Sequence, residues 1–242
     1  MLTDELKIVT VKELLMENLT IPNYQRPYRW TTESAANLFN DVQSSFIKNI
    51  PEYRIGSVIL HSDENKYNIV DGQQRITTLT LLLHCLHNKS VKSNFDIEST
   101  PLYKNRSFNT LSKKAITNNH EIFRTKISNL TEEEIQKLTL YILNKCTFVQ
   151  IKTNSEQEAF QFFDSQNSRG KELSPHDLLK SFHLREMNND KEETKLDLIN
   201  RWENLNQKSL ALFFEYNLYQ LIRYHINKSG LYYSTKKIKS FK

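Results

Sequence analysis

Val70-Asp71-Gly72-Gln73-Gln74-Arg75-Ile76-Thr77-Thr78-Leu79 changes its periodicity in the middle. Before Asp71, the run Tyr67-Asn68-Ile69-Val70 reads as a short strand. After Gly72, the apolar residues Ile76, Leu79, Leu82, Leu83 and Leu86 recur at helical spacing. A strand that passes directly into a helix carries the helix's first N–H groups, which lack intrahelical acceptors, to the edge of a sheet. Glycine at such a junction lets other groups approach the backbone closely. Of only 4 glycines in 242 residues, Gly56, Gly72 and Gly170 all sit in short polar motifs. Scarce glycine marks places where backbone geometry requires it.

Two readings of the junction follow. In the first, Asp71 is the N-cap and Gln74 the N3 partner of a capping box. The backbone at Gly72 and the N–H groups of Gln73 and Gln74 then face an anion. The helix end contributes ~0.3–1 kcal/mol. Arg75 adds a charge-assisted pair of ~1.5–3 kcal/mol. Asp71 suits such a site only by capping the helix or by holding Mg²⁺. In the second reading the helix is simply capped and Arg75 forms a structural salt bridge. Spacing leaves both open.

Working outward, Tyr53 to His61 is β-like and Asp63-Glu64-Asn65-Lys66 is a turn, so the strand before the junction belongs to a hairpin. Upstream lies Leu19-Thr20-Ile21-Pro22-Asn23-Tyr24-Gln25-Arg26-Pro27-Tyr28-Arg29-Trp30, which its prolines keep extended. Alternation places Tyr24, Arg26 and Tyr28 on one side. There, aromatic faces would stack on bases and arginines would pair with phosphates. The competing reading makes Tyr28 and Trp30 core anchors. Trp30 is assigned to the core, Gln25 and Arg26 to function. Thr10 to Glu13 forms a capping-box pattern opening a helix through Met16. From Thr32 a helix with Ala35, Leu38, Phe39, Val42, Phe46, Ile47 and Ile50 inward runs to about Pro51.

Downstream, residues 90–110 read as a loop, followed by helices near 111–128 and from Thr131. Lys145 to Thr153 is a strand, and Ser155 caps a helix burying Ala159, Phe162 and Phe163. Asp164 to Leu173 is a polar loop in which Asn167, Arg169 and Gly170 can host an anion or simply make turns. Ser174-Pro175-His176-Asp177 starts another helix. From about 191 the chain is helical, with Leu196, Ile199, Trp202, Leu205, Leu212, Phe213, Tyr216 and Leu221 as apolar positions.

The net charge is +5 and the pI about 9.0, compatible with a polyanionic partner. After Glu215 every charged side chain is basic. This end is either a solvated tail or a nucleic-acid contact. Cys85 and Cys146 have no partner spacing and predict reduced thiols in a cytoplasmic protein. No apolar run reaches the ~18 residues of a membrane span. His84 and His87 lack metalloprotease spacing, and no Walker loop, nucleophile elbow or Rossmann fingerprint occurs.

In sequence order, the Ile21–Trp30 segment, Ile55-Gly56-Ser57-Val58-Ile59-Leu60, the Val70–Leu79 junction and Phe163 to Ser181 closely resemble the N-terminal domain family of GmrSD-type restriction proteins, over roughly residues 8–185. The resemblance implies an α+β fold of the ParB/sulfiredoxin kind, a small mixed sheet with surrounding helices. It divides the chain into residues 1–188, with a helical insertion near 90–144, and a helical segment 189–242. It implies that nucleoside triphosphate binding or Mg²⁺-dependent hydrolysis gates DNA cleavage in defence against phage and other foreign or modified DNA. The phosphate-holding Gly-x-x-Arg motif of ParB-like proteins maps onto Gly72 and Arg75.

The resulting assignment gives Asp71 and Arg75 catalytic roles, with Asp71 also the Mg²⁺ contact. Gly72, Gln73, Gln74, Arg75, Gln25, Arg26, Asn167 and Arg169 bind nucleotide phosphate. Tyr24, Arg26, Tyr28 and Arg29 face DNA. Gly56, Gly72 and Gly170 line one pocket. Where sulfiredoxins carry their catalytic Cys this chain has Gln73, which argues against sulfinic-acid reduction. The family's C-terminal His-Asn-His pattern is not found before Lys242, so the nuclease is expected on a separate subunit or further chain. The alternative function is a DNA-binding sensor without turnover.

Overall fold

The computed structural model describes residues 5–22, 25–89, 95–104, 110–167, 187 and 192–230. The chain forms two compact units, one comprising Met1–Pro22 with Pro27–Phe163, the other Asn23–Arg26 with Asp164–Lys242.

The first unit is built on a five-stranded mixed sheet. Its strands are β1 (Glu5–Thr10), β2 (Leu19–Thr20), β3 (Tyr53–Asp63), β4 (Lys66–Asp71) and β5 (Cys146–Thr153), in the order β1-β5-β3-β4-β2. β3 and β4 form the expected antiparallel hairpin. β5 enters parallel to β3 and antiparallel to β1, and β2 runs parallel to β4. Alternation turns Val58 and Leu60 of β3, Ile69 of β4 and Phe148 of β5 into one buried layer. Helices α1 (Val11–Met16), α2 (Thr32–Ile47), α3 (Gln73–Lys89), α5 (Thr110–Ile127) and α6 (Glu132–Lys145) contribute Leu14, Phe39, Leu79, Phe123 and Ile142 to the same core. The α+β architecture read from the sequence is therefore present.

Several local expectations differ. β1 was not foreseen, and β2 opens the Leu19–Trp30 segment that was read as extended. β1 is an edge strand whose outward residues Leu6 and Ile8 remain exposed, so its pattern carries little burial signal. The segment 90–110 contains a 3₁₀ turn, Ile97–Ser99, and a short helix α4 (Pro101–Lys104), with Ile97 and Leu102 buried. Ile47 and Ile50 at the end of the α2 run are exposed, as is Phe162 on α7 (Glu156–Asn167). The helix start expected at Ser174 lies outside the described residues.

In the second unit, α8 (Glu192–Asn204), α9 (Gln207–Leu212), a π-helical turn (Phe213–Leu218) and α10 (Tyr219–His225) confirm the helical reading. Phe214 and Tyr219 are buried there, whereas Leu205, Leu212, Phe213, Tyr216 and Leu221 are exposed. No helix among the described residues is long and apolar enough to cross a membrane.

Capping boxes form at Thr10 with Glu13 and at Thr131 with Glu134. Each carboxylate accepts from its threonine's backbone N–H, at 2.7 and 2.8 Å, which holds both acids below the usual glutamate range. A lowered folded value means that these caps contribute above the ordinary glutamate range. Their contribution is lost as pH falls through the lowered value.

Cys85 and Cys146 are free and buried, and burial pushes both thiols up to about 12. At pH 8 a thiol at that value is ionised to the extent of roughly 10⁻⁴. Both cysteines are expected to resist a thiol-specific chromogenic disulfide in the native protein and to react together in denaturant. Rapid native labelling at either position would contradict their burial.

Candidate functional site

The junction is a strand end, a glycine and a helix start. Asp71 is the last residue of β4, Gly72 bridges, and α3 begins at Gln73, with the Ile76 N–H donating to the Gly72 carbonyl at 3.0 Å. The helix therefore starts one residue later than the capping-box reading requires. Asp71 lies too far back to cap it, and the carboxylate instead accepts from Arg75 Nη2 at 3.4 Å. Gly72 has φ +97°, a conformation that favours glycine. A Cβ there would meet the Val58 side chain at 3.3 Å and the Ser57 carbonyl at 3.4 Å. The glycine thus lets the helix start lie directly on β3.

Arg75 is placed by a second glycine. β3 shifts register against β5 between Arg54 and Gly56, and Gly56 adopts φ +152°. A Cβ on Gly56 would lie 1.9 Å from Arg75 Nη1. The guanidinium therefore occupies the space that any other residue at position 56 would fill. Arg75 and Asp71 are about a quarter exposed, 26 % and 24 %. Asp71 is the only partner of Arg75 among the described residues, through one long hydrogen bond. A guanidinium has five donors, so most of its hydrogen-bonding capacity is not used by the described residues. The structural salt bridge of the plainer reading exists, but it does not account for the seat of the guanidinium against the bare backbone of Gly56.

Gln74 faces elsewhere. Its Oε1 accepts from the Arg29 N–H at 2.9 Å and its Nε2 donates to the Pro27 carbonyl at 3.2 Å. The side chain is 8 % exposed and ties the Pro27–Trp30 segment to the first turn of α3. Its side chain is thus structural, and only its backbone N–H faces the helix start. Gln73 is buried beside it, its Oε1 3.5 Å from Gln74 Nε2.

Tyr28 corrects the sequence reading most clearly. It is fully buried. Its hydroxyl lies 2.7 Å from Thr78 Oγ1 and accepts from Asn119 Nδ2 at 2.8 Å. Its N–H donates to Ser112 Oγ at 3.0 Å. Burial pushes the phenol up from its ordinary value. Tyr28 cannot stack on a base, because both ring faces lie in the core. Trp30 packs against the same core, as expected.

Arg29 lies beside this segment, while Gln25 and Arg26 belong to the second unit. Tyr24, Arg169 and Gly170 lie outside the described residues, as do the lysines after 230. Asn167 ends α7. The structure thus brings together Gly56, Asp71, Gly72, Gln73, Gln74 and Arg75. The seating of Arg75 against Gly56 was signalled in the sequence only by the scarcity of glycine. Among the described residues, no group of three or more His, Cys, Asp or Glu side chains could hold a metal.

No curated protein matches the chain. A family model described as GmrSD restriction endonuclease, N-terminal domain, matches residues 11–184, which spans β2 to β5 of the sheet, the Gly56–Arg75 cluster and the polar motif after Phe163. The chain belongs to the GmrSD restriction endonuclease N-terminal domain family.

Proposed function

We propose that the Gly56–Arg75 cluster binds the phosphates of a nucleoside triphosphate, and that this binding regulates DNA restriction by a nuclease on a partner or further domain. One observation carries the reading: a partly exposed arginine, held against bare glycine backbone, stands beside the first turn of a long helix. The N–H groups of Gln73 and Gln74 lack intrahelical acceptors, and the positive helix end favours an anion. A phosphate reaching Arg75 competes with Asp71 for a hydrogen bond that is already long. Asp71 is then released toward a cation. A single carboxylate fits Mg²⁺ that arrives coordinated to nucleotide phosphates, and does not fit a resident all-protein site. Bound Mg²⁺ would supply charge neutralisation between the phosphates and Asp71. Hydrolysis assigns Asp71 to orienting water and Arg75 to the developing phosphate charge.

Calorimetric titration with each of the four ribonucleoside triphosphates and Mg²⁺ tests the reading. At least one is expected to bind the wild type and to lose roughly tenfold or more in affinity with Arg75→Ala, the worth of a charge-assisted pair. Equal binding by both proteins would sink it. DNA binding without phosphate release from any nucleotide would favour the sensor reading.

A further inference from the structure

Between Asn204 and Lys242 the single acid is Glu215, against Lys208, Arg223, Lys228 and the lysines beyond Gly230. Exposed aromatic rings stand in the same stretch. Tyr224 is 82 % exposed and Tyr216 55 %. Bare tyrosines among basic residues require a reason, because burying a ring is a large part of what an aromatic contributes.

The local geometry gathers these residues. The π-helical turn Phe213–Leu218 passes into α10, and the Tyr219 N–H donates to the Phe214 carbonyl, five residues back. A π-turn is wider than an α-turn and rotates less per residue. Tyr216 and Gln220 therefore fall on one face, and Tyr224 follows four positions later. Asn217 and Leu221 flank them, and Lys228 stands in the turn after α10. All six are exposed, while Phe214 and Tyr219 are buried.

The turn after α10 is pinned. The Lys228 N–H donates to the Arg223 carbonyl at 2.8 Å, and the Asn227 N–H to the Tyr224 carbonyl at 2.9 Å. Arg223 Nε donates to the Ser229 carbonyl at 2.9 Å. Gly230 then lies so close to α10 that a Cβ on it would stand 2.9 Å from Gln220 Cα. Lys228 is thus held next to the end of the helix that carries Tyr224.

The composition of the face selects its partner. Leu221 is the one aliphatic side chain of the six; the others are two phenols, two amides and an ammonium. No carboxylate follows Glu215 in the sequence, so the charge complements a polyanion. Rings open to solvent match bases that are themselves unstacked, which a duplex does not offer.

We propose that this face of the second unit binds an unpaired strand of nucleic acid. Tyr216 and Tyr224 stack on bases, Asn217 and Gln220 hydrogen-bond to base edges, and Lys228 pairs with a phosphate. The face lies beyond the residues matched by the family model, 11–184. It does not depend on nucleotide binding at Arg75, and Arg75→Ala is expected to leave it intact.

Two labelled oligomers of equal charge test it by fluorescence anisotropy on the whole chain. One is an oligothymidylate of about fifteen nucleotides, near the upper end of known single-strand sites. The other is an abasic strand of the same length. The wild type is expected to bind the oligothymidylate about fivefold or more tightly than the abasic strand, the worth of one stacked base. Tyr224→Ala is expected to remove most of that preference without weakening the abasic strand, and Tyr224→Phe to retain it. Lys228→Gln is expected to weaken both strands and to reduce the slope of log affinity against log salt by about 0.7. Equal affinity of the wild type for the two strands, or binding of neither, overturns the proposal. So does a base preference that survives Tyr224→Ala. Self-association of the wild type that Tyr224→Ala abolishes, without oligothymidylate binding, assigns the face to a second copy instead and likewise overturns it.

Discussion

Tyr28→Ala is expected to lower the stability of the first unit by about 3–5 kcal/mol, the range for removing a large buried aromatic. That is a large share of the ~5–15 kcal/mol available to an ordinary domain. The ring is fully buried, and its hydroxyl and N–H join it to α3 through Thr78 and to α5 through Asn119 and Ser112. Tyr28→Phe keeps the ring and removes only the hydroxyl. Thr78 Oγ1 retains the Gln74 carbonyl, and Asn119 Nδ2 retains the Trp30 carbonyl. The phenylalanine variant is therefore expected to lose only about 1–2 kcal/mol. Urea unfolding followed by circular dichroism measures both. A Tyr28→Ala protein as stable as the wild type would remove the core assignment and return Tyr28 to the surface.

Gly56→Ala is expected to weaken nucleotide binding as much as Arg75→Ala, roughly ten- to hundredfold, although it removes no charge. The added methyl takes the place of Nη1, and the flexible arginine yields. The steric clash itself is cheap for that reason. What remains is the backbone cost of alanine at φ +152°, about 1–2 kcal/mol. Gly72→Ala reverses the balance. Its methyl meets a branched valine and a strand carbonyl, neither of which can swing aside, at φ +97°. It is expected to cost more stability than Gly56→Ala. Calorimetry and thermal unfolding on the two variants separate the roles. A Gly56→Ala protein that binds nucleotide like the wild type would show that Arg75's position is immaterial.

How much of this was legible depended on the range of the interactions. The boxes at Thr10 and Thr131 were readable because cap and partner are three residues apart. The α2 and α3 faces were readable from their periodicity, and β3–β4 from its turn. β1 was not, since Leu6 and Ile8 point to solvent. At the site, scarce glycine identified Gly56 and Gly72 correctly as structurally special. The role of the Gln74 side chain was invisible. Its partners are backbone groups of Pro27 and Arg29, and backbone groups leave no trace in residue identity. Asp71 was misplaced by one position because a cap and a strand end look alike when strand passes directly into helix. The unpaired hydroxyl of Thr77 had no signal at all, standing just before two threonines, Thr78 and Thr80, that bond in the ordinary way.

The position of β5 between β1 and β3 has a consequence for synthesis. The hairpin β3–β4 and α3 can assemble locally as they leave the ribosome. β1, made first, pairs among the described residues only with β5, the last of the described strands to be made. At ~5–20 residues per second, β1 waits on the order of ten to thirty seconds with the edge that β5 will pair left open. The window for mispairing with another nascent copy closes only when Cys146 to Thr153 threads into place.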